Sequence, residues 1–237
     1  MNREAIKAWL LDLFYPNRCG CCGVFIPWNH LLCLDCAASL QPVQVCPHCG
    51  KIPCNGQEAL PYSRVYVAYA YADRAKDGIL SLKRGHNLNF AMHLGKVLGD
   101  QIPAGAYDCI VPVPMNRQRL RERGYNQAER IGAAMGTYCG LPVRKDCLIQ
   151  RQSKIRQHEL GAKERQEHAK LYEASEQRLD GLRILLCDDV LTTGSTAQRC
   201  AQLLRQMGAA DVGFAAGCTS IRKCRPEHDR SNQAKEK

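Results

Sequence analysis

The 237 residues, 45% hydrophobic and 24% charged, suffice for one ordinary domain plus a small satellite and exclude a disulfide-stapled miniprotein. No run approaches the roughly 18 consecutive apolar residues of a membrane span, so no bilayer-crossing segment is expected. Lys and Arg outnumber Asp and Glu by 33 to 23, and the excess lies wholly beyond the neutral first 60 residues, with thirteen basic against six acidic residues between 115 and 170. Such a surplus suits an anionic partner, a phosphate or a nucleic-acid backbone, with a solvated basic face as the plainer alternative.

Residues 1–18 read as an amphipathic helix, because Ile6, Trp9, Leu10, Leu13 and Phe14 recur at helical spacing and Pro16 stops the run. Glu4 and Asp12 interrupt its apolar stretch and no small-residue cleavage site follows, so it is not a secretory signal and a cytoplasmic location is expected.

Fifteen cysteines in such a chain point to metal rather than to disulfides. Eight of them lie between residues 19 and 54. Cys19-x-x-Cys22 and Cys33-x-x-Cys36 form two knuckles, and two intervening residues let the backbone turn so that both thiolates face one ion. These four cysteines are assigned to a structural zinc. Cys46, Cys49 and Cys54 supply three ligands of a second site, whose fourth is open among Cys21, His30 and His48; a decayed site is the alternative. The segment 19–60 is thus expected to be a zinc-ribbon domain that takes most of its folding energy from metal.

From residue 61 to about 224 strands and helices alternate. Strands are predicted at 65–71, 109–114, 147–149, 183–189 and 212–218, and helices at 74–83, 88–99, 127–138 and 195–207. The alternation implies an α/β fold, a parallel sheet covered by helices on both faces, with ligands at the carboxyl ends of the strands. Residues 225–237 form a polar tail, expected to be disordered.

The stretch Ile184 to Thr196 carries the chemistry. A buried strand delivers Asp188 and Asp189 to its end, and Val190, Leu191, Thr192, Thr193, Gly194, Ser195 and Thr196 then open a helix. Backbone amides at that helix start, with hydroxyl donors and a glycine permitting close approach, suit a phosphate. Adjacent carboxylates accept ribose hydroxyls and can reach a bound Mg²⁺. A simple helix cap would account for Thr193 or Ser195 but not for both acids.

These thirteen residues resemble the signature of type I phosphoribosyltransferases. The wider chain resembles one branch, the ComF family of competence proteins, through the cysteine knuckles, the LKRGH segment with Lys83, the VPVP and RERGYNQAE blocks, and the spaced Arg151, Gln157, Leu160 and Arg165. The resemblance implies a type I phosphoribosyltransferase-like sheet behind a zinc ribbon and a phosphoribosyl pyrophosphate site with Mg²⁺. It places the pyrophosphate at the turn from Val113 through Pro114 and Met115 to Asn116, with Arg119 and Arg123 close by. It also makes residues 150–168 a mobile loop that carries Lys163 or Arg165 to the phosphates. The chain departs from the family pattern at His168, where an Asn is usual, and at Tyr172, near the usual Phe. The implied function is the uptake and handling of single-stranded DNA in natural transformation, with other competence proteins as partners. An active phosphoribosyltransferase of unspecified acceptor base and a phosphoribosyl pyrophosphate sensor are the rival readings.

Overall fold

A computed structural model describes residues 16–46, 48, 60–85, 87–151 and 171–220. The expected N-terminal helix, Cys49, Cys54, Lys163, Arg165 and the polar tail lie outside the described residues.

The chain enters through a cysteine-rich head. Cys19 N–H donates to Val24 O at 2.8 Å and Gly23 N–H to Cys19 O at 3.0 Å, closing the first knuckle with Gly23 at φ +76°. The second knuckle opens a short helix, α1 (Leu34–Ser39), whose cap is Cys33.

The body is a four-stranded sheet in the order β1 (Arg64–Ala70), β6 (Asp211–Thr219), β5 (Arg183–Leu191), β2 (Cys109–Pro112), with every pairing parallel. A two-stranded antiparallel hairpin, β3 (Leu148–Gln150) with β4 (Tyr172–Ala174), stands apart. The helices are α2 (Asp73–Lys83), α3 (Asn89–Gly99), α4 (Arg117–Arg123), α5 (Gln127–Cys139) and α6 (Ser195–Gln206).

The stretch Ile184–Cys187 of β5 reads as an apolar run because both of its faces are covered. Leu185 and Cys187 pack into a core with Leu94 of α3 and Ile131 of α5, whereas Ile184 and Leu186 pack with Cys200 and Leu204 of α6. Helices therefore cover both faces, as the alternation predicts. Among the described residues no helix is long and apolar enough to cross a membrane.

The head is built onto the body. An ideal Cβ at Gly20 would lie 2.5 Å from Phe90 N, and one at Gly78 would lie 2.5 Å from Phe90 Cδ1, so the backbone of the fully buried Phe90 and its ring are each approached by a backbone that only glycine permits. Polar ties reinforce the contact: Asn87 Nδ2 donates to Arg18 O at 2.6 Å, and Asn89 Nδ2 to Asn17 Oδ1 at 2.7 Å. Beyond α1 the chain runs beside β1, with Ala70 N–H donating to Gln41 O at 3.0 Å.

Candidate functional site

At the carboxyl ends of β2 and β5 a cavity of about 210 Å³ opens among Lys83, Pro114, Met115, Arg119, Arg123 and the two carboxylates, with Val113, Asn126, Gln127, Ala128, Gln150, Tyr172 and Thr196 completing its wall. Asp189 N–H donates to Asp188 Oδ1 at 2.8 Å, and Lys83 Nζ lies 3.1 Å from Asp189 Oδ2. Burial pushes the Asp188 carboxyl well above the usual carboxylate range, and the charge of Asp189 beside it adds to the effect, while the Asp189 N–H and Lys83 oppose it. Two acids held together with one counter-cation suit a ligand that brings hydroxyl protons or positive charge.

The loop after β5 turns on Gly194, whose φ of +82° is left-handed and which caps α6 without a side-chain hydrogen bond. The first amides of α6 therefore lack a capping side chain of the cap residue itself. Thr193 Oγ1 lies 3.0 Å from Ser195 Oγ, and Thr196 alone of the predicted hydroxyl residues lines the cavity. Thr192 and Thr193 are exposed, Ser195 is half-buried, and Val190 packs against the core on the α3 and α5 side of the sheet.

Opposite the acids, β2 runs into the turn at Val113, where Val113 N–H donates to Cys187 O at 2.8 Å. Asn116 then caps α4, its Oδ1 accepting from Arg119 N–H at 2.9 Å. Helix α4 has four arginines and no buried residue, and Gly124 ends it at φ +79°. Tyr125 Oη donates to Leu82 O at 2.5 Å, fastening this basic segment to the end of α2 that carries Lys83.

The structure thus gathers Asp188, Asp189, Thr196, Pro114, Met115, Arg119 and Arg123 around one cavity. It also brings in Gln150, Tyr172, Asn126 and Gln127, which carried no assigned role in the sequence. Asn116 N–H donates to Gln150 Oε1 at 2.7 Å, and Gln150 Nε2 donates to Tyr172 Oη at 3.0 Å. Gln150 is therefore the bridge from hairpin to turn, and the Tyr172 hydroxyl holds it in place. Burial and then the Asp188 charge raise the tyrosine's pKa, so it stays a neutral phenol.

In the head, the Sγ atoms of Cys19, Cys22, Cys33 and Cys36 all lie within 4.8 Å of one another, with Cys22 and Cys33 at 3.8 Å. Zn–S bonds of about 2.3 Å give a tetrahedron with edges near 3.8 Å, so the donor set fits zinc. Cys36 N–H points at Cys33 Sγ at 3.4 Å. Burial raises the Cys19 thiol, but the backbone N–H groups of Cys22, Cys33 and Cys21 outweigh it and bring the pKa down to about 6, which favours the thiolate a metal needs. Cys21 is instead buried in the hydrophobic core, where its thiol is pushed up to about 12, first by burial. Of the second cysteine set only Cys46 is described, so that site is not visible among the described residues.

Comparison with known proteins follows the same division. The phosphoribosyl transferase domain model matches residues 144–235 and the double zinc ribbon domain model residues 10–64. DNA utilization protein YhgH of Salmonella typhimurium is 28% identical over 230 residues, spanning 88% of this chain and 100% of that protein. Competence protein F of Haemophilus influenzae is 31% identical over 108 residues, 44% of this chain and 47% of that protein. Competence protein ComFC of Bacillus subtilis is 24% identical over 202 residues, 76% and 80% of the two chains. Among solved structures, glutamine phosphoribosylpyrophosphate amidotransferase from B. subtilis superposes with a TM-score of 0.39 at 20% identity, covering 62% of this chain and 28% of that one. The chain is thus similar over most of its length to a DNA utilization protein and to competence proteins, with segments that match a double zinc ribbon and a phosphoribosyl transferase domain.

Proposed function

We propose that the cavity binds 5-phosphoribosyl pyrophosphate and that the protein acts in the cytoplasm in the uptake and handling of single-stranded DNA, together with other competence proteins. One observation carries the ligand: Asp188 and Asp189 stand between the Gly194 turn and the arginine-bearing α4, around a single cavity. Asp188 and Asp189 accept the ribose hydroxyls. The α6 amides, with the hydroxyls of Thr192, Thr193, Ser195 and Thr196, hold the 5-phosphate. The turn at Pro114 and Met115 and the guanidinium groups of Arg119 and Arg123 receive the pyrophosphate, whose oxygens match their planar fork. Mg²⁺ bound with the ligand would neutralise pyrophosphate charge, and zinc on the four clustered cysteines would hold the head together. Where an acceptor base is supplied, Lys83 sets the charge of the acid pair while the arginines stabilise the departing group electrostatically.

The names of the relatives support the DNA role, and so do the four arginines of α4, Arg117 and Arg121 exposed and Arg119 and Arg123 half-buried at the cavity. Calorimetry on the full chain tests both parts. Phosphoribosyl pyrophosphate with Mg²⁺ should bind, and Asp188→Asn with Asp189→Asn should abolish the binding; unchanged binding in the double variant refutes the ligand. Single-stranded DNA should bind with a steep salt dependence, and Arg119→Ala with Arg123→Ala should lower the slope by about 1.4, at roughly 0.7 per phosphate contact. An unchanged slope refutes α4 as the DNA track.

A further inference from the structure

Two neighbouring amides line the cavity, and they are in opposite states. Asn126, 8% exposed, is fully committed: its Nδ2 donates to Val113 O at 2.8 Å and its Oδ1 caps α5 by accepting from Ala128 N–H at 3.1 Å. Gln127 is 2% exposed, and its Nε2 is one of two buried side-chain polar atoms among the described residues that have no hydrogen-bond partner. Its orientation is set, because Gln127 Oε1 accepts from Arg123 Nη1 at 3.2 Å. A flipped amide would turn its NH₂ toward a guanidinium, donor against donor. The free N–H therefore faces away from the Arg123 Nη1 contact, and Gln127 lines the cavity together with Arg119, Arg123 and the Pro114–Met115 turn.

A buried donor without a partner is costly, and Arg119 and Arg123, which share the cavity wall with Gln127, add further donors. Arg119 and Arg123 offer only N–H, so an acceptor-only group completes the set and a further donor does not. Of the two carboxylates, Asp188 Oδ1 takes the Asp189 N–H and Asp189 Oδ2 takes Lys83, and their other oxygens are assigned above to the ribose hydroxyls.

We propose that Gln127 is a ligand-contacting residue whose Nε2 donates to an oxygen of the pyrophosphate arm, while its Oε1 aims Arg123 at the same group. The inference rests on the phosphoribosyl pyrophosphate reading above and sharpens it. Gln127 reads the pyrophosphate end of the ligand and is blind to the 5-phosphate end. It also accounts for the unpaired amide: the empty protein holds a buried donor in reserve, and the ligand satisfies it.

The test compares the full-length zinc-loaded protein with Gln127→Leu, which removes the donor at similar volume, and with Gln127→Glu, which replaces it with an acceptor. Each is titrated with phosphoribosyl pyrophosphate, inorganic pyrophosphate and ribose 5-phosphate in the presence of Mg²⁺, and each is melted without ligand. Gln127→Leu should weaken both pyrophosphate-bearing ligands about tenfold, equivalent to about 1.4 kcal/mol. It should leave ribose 5-phosphate within twofold and melt no lower than the wild type. Gln127→Glu should bind the pyrophosphate ligands more weakly still. Equal affinity of wild type and Gln127→Leu for pyrophosphate overturns the inference and leaves the ligand reading standing. So does a variant that melts several degrees lower with affinities unchanged, which would make Gln127 structural. A wild type that binds none of the three refutes the ligand reading itself and the inference with it.

Discussion

Gly194→Ala isolates the loop conformation from everything else in the site. Its φ of +82° is left-handed, yet an ideal Cβ there meets only Tyr62 Oη at 3.7 Å and Leu191 Cδ1 at 3.9 Å, ordinary contact distances. The cost is conformational and not steric. A non-glycine residue in this region costs about 1–2 kcal/mol, offset by about 0.4–1 kcal/mol because alanine restricts the unfolded chain. The net loss of about 1 kcal/mol lowers the melting temperature of a chain this size by about 2–4 °C. The loop can escape the strain only by leaving the left-handed region, which moves the amides at the start of α6. Affinity for phosphoribosyl pyrophosphate should therefore fall more than tenfold although no side chain has been removed. Gly194→Asn is the control, since asparagine tolerates this conformation and should recover most of both losses. Differential scanning calorimetry and titration read the two quantities separately. An alanine variant that melts and binds like the wild type, or an asparagine variant that loses as much as the alanine one, refutes the reasoning.

Asp188→Asn should stabilise the ligand-free protein. Its folded pKa is raised above the ordinary 3.8, so the native state holds this proton more tightly than the unfolded chain and the destabilisation sets in as pH rises through and beyond 3.8. Melts across pH should show a gain near neutrality that vanishes toward pH 3.8, and a gain independent of pH refutes the assignment. His93 has the opposite sign: burial, then Lys96, depresses its pKa from 6.5 to about 4, so stability is complete above pH 6.5 and drains away as pH falls toward 4, by about 3 kcal/mol in all. In His93→Gln that acid limb should flatten, and an unchanged limb counts against this histidine. Cys22 is exposed, so Cys22→Ser removes a zinc ligand without disturbing the core. Elemental analysis should show that zinc lost and the melting temperature lowered, whereas unaltered metal content refutes the four-cysteine site.

What the sequence makes legible here depends on element length and on whether a residue acts through pattern or through contact. β5 was readable because its stretch Ile184–Cys187 is buried on both faces and gives a short apolar run, and Asp188 and Asp189 stand out directly after it. β4 was not: three residues are too few for a period of two, so Tyr172 reached the cavity unannounced. Helix α4 buries nothing and shows no apolar stripe, and only its arginines were visible. Asn126 and Gln127 sat in plain view inside the RERGYNQAE block, but two adjacent amides look alike in sequence. Only the pairing of one and the isolation of the other distinguish them. Gln150 is placed by tertiary contact alone, through its bonds to Asn116 and Tyr172.

Phe90 meets Gly20, next to the first cysteine of the cluster, through its backbone, and Gly78, on the helix that ends at Lys83, through its ring. Removing a buried aromatic ring costs about 3–5 kcal/mol in its own right. Phe90 as a whole is the residue through which the cysteine-rich head bears on α2, its backbone against Gly20 and its ring against Gly78. A change that loosens the head would therefore reach the helix that ends in Lys83, the residue paired with Asp189, although the two lie far apart in the sequence.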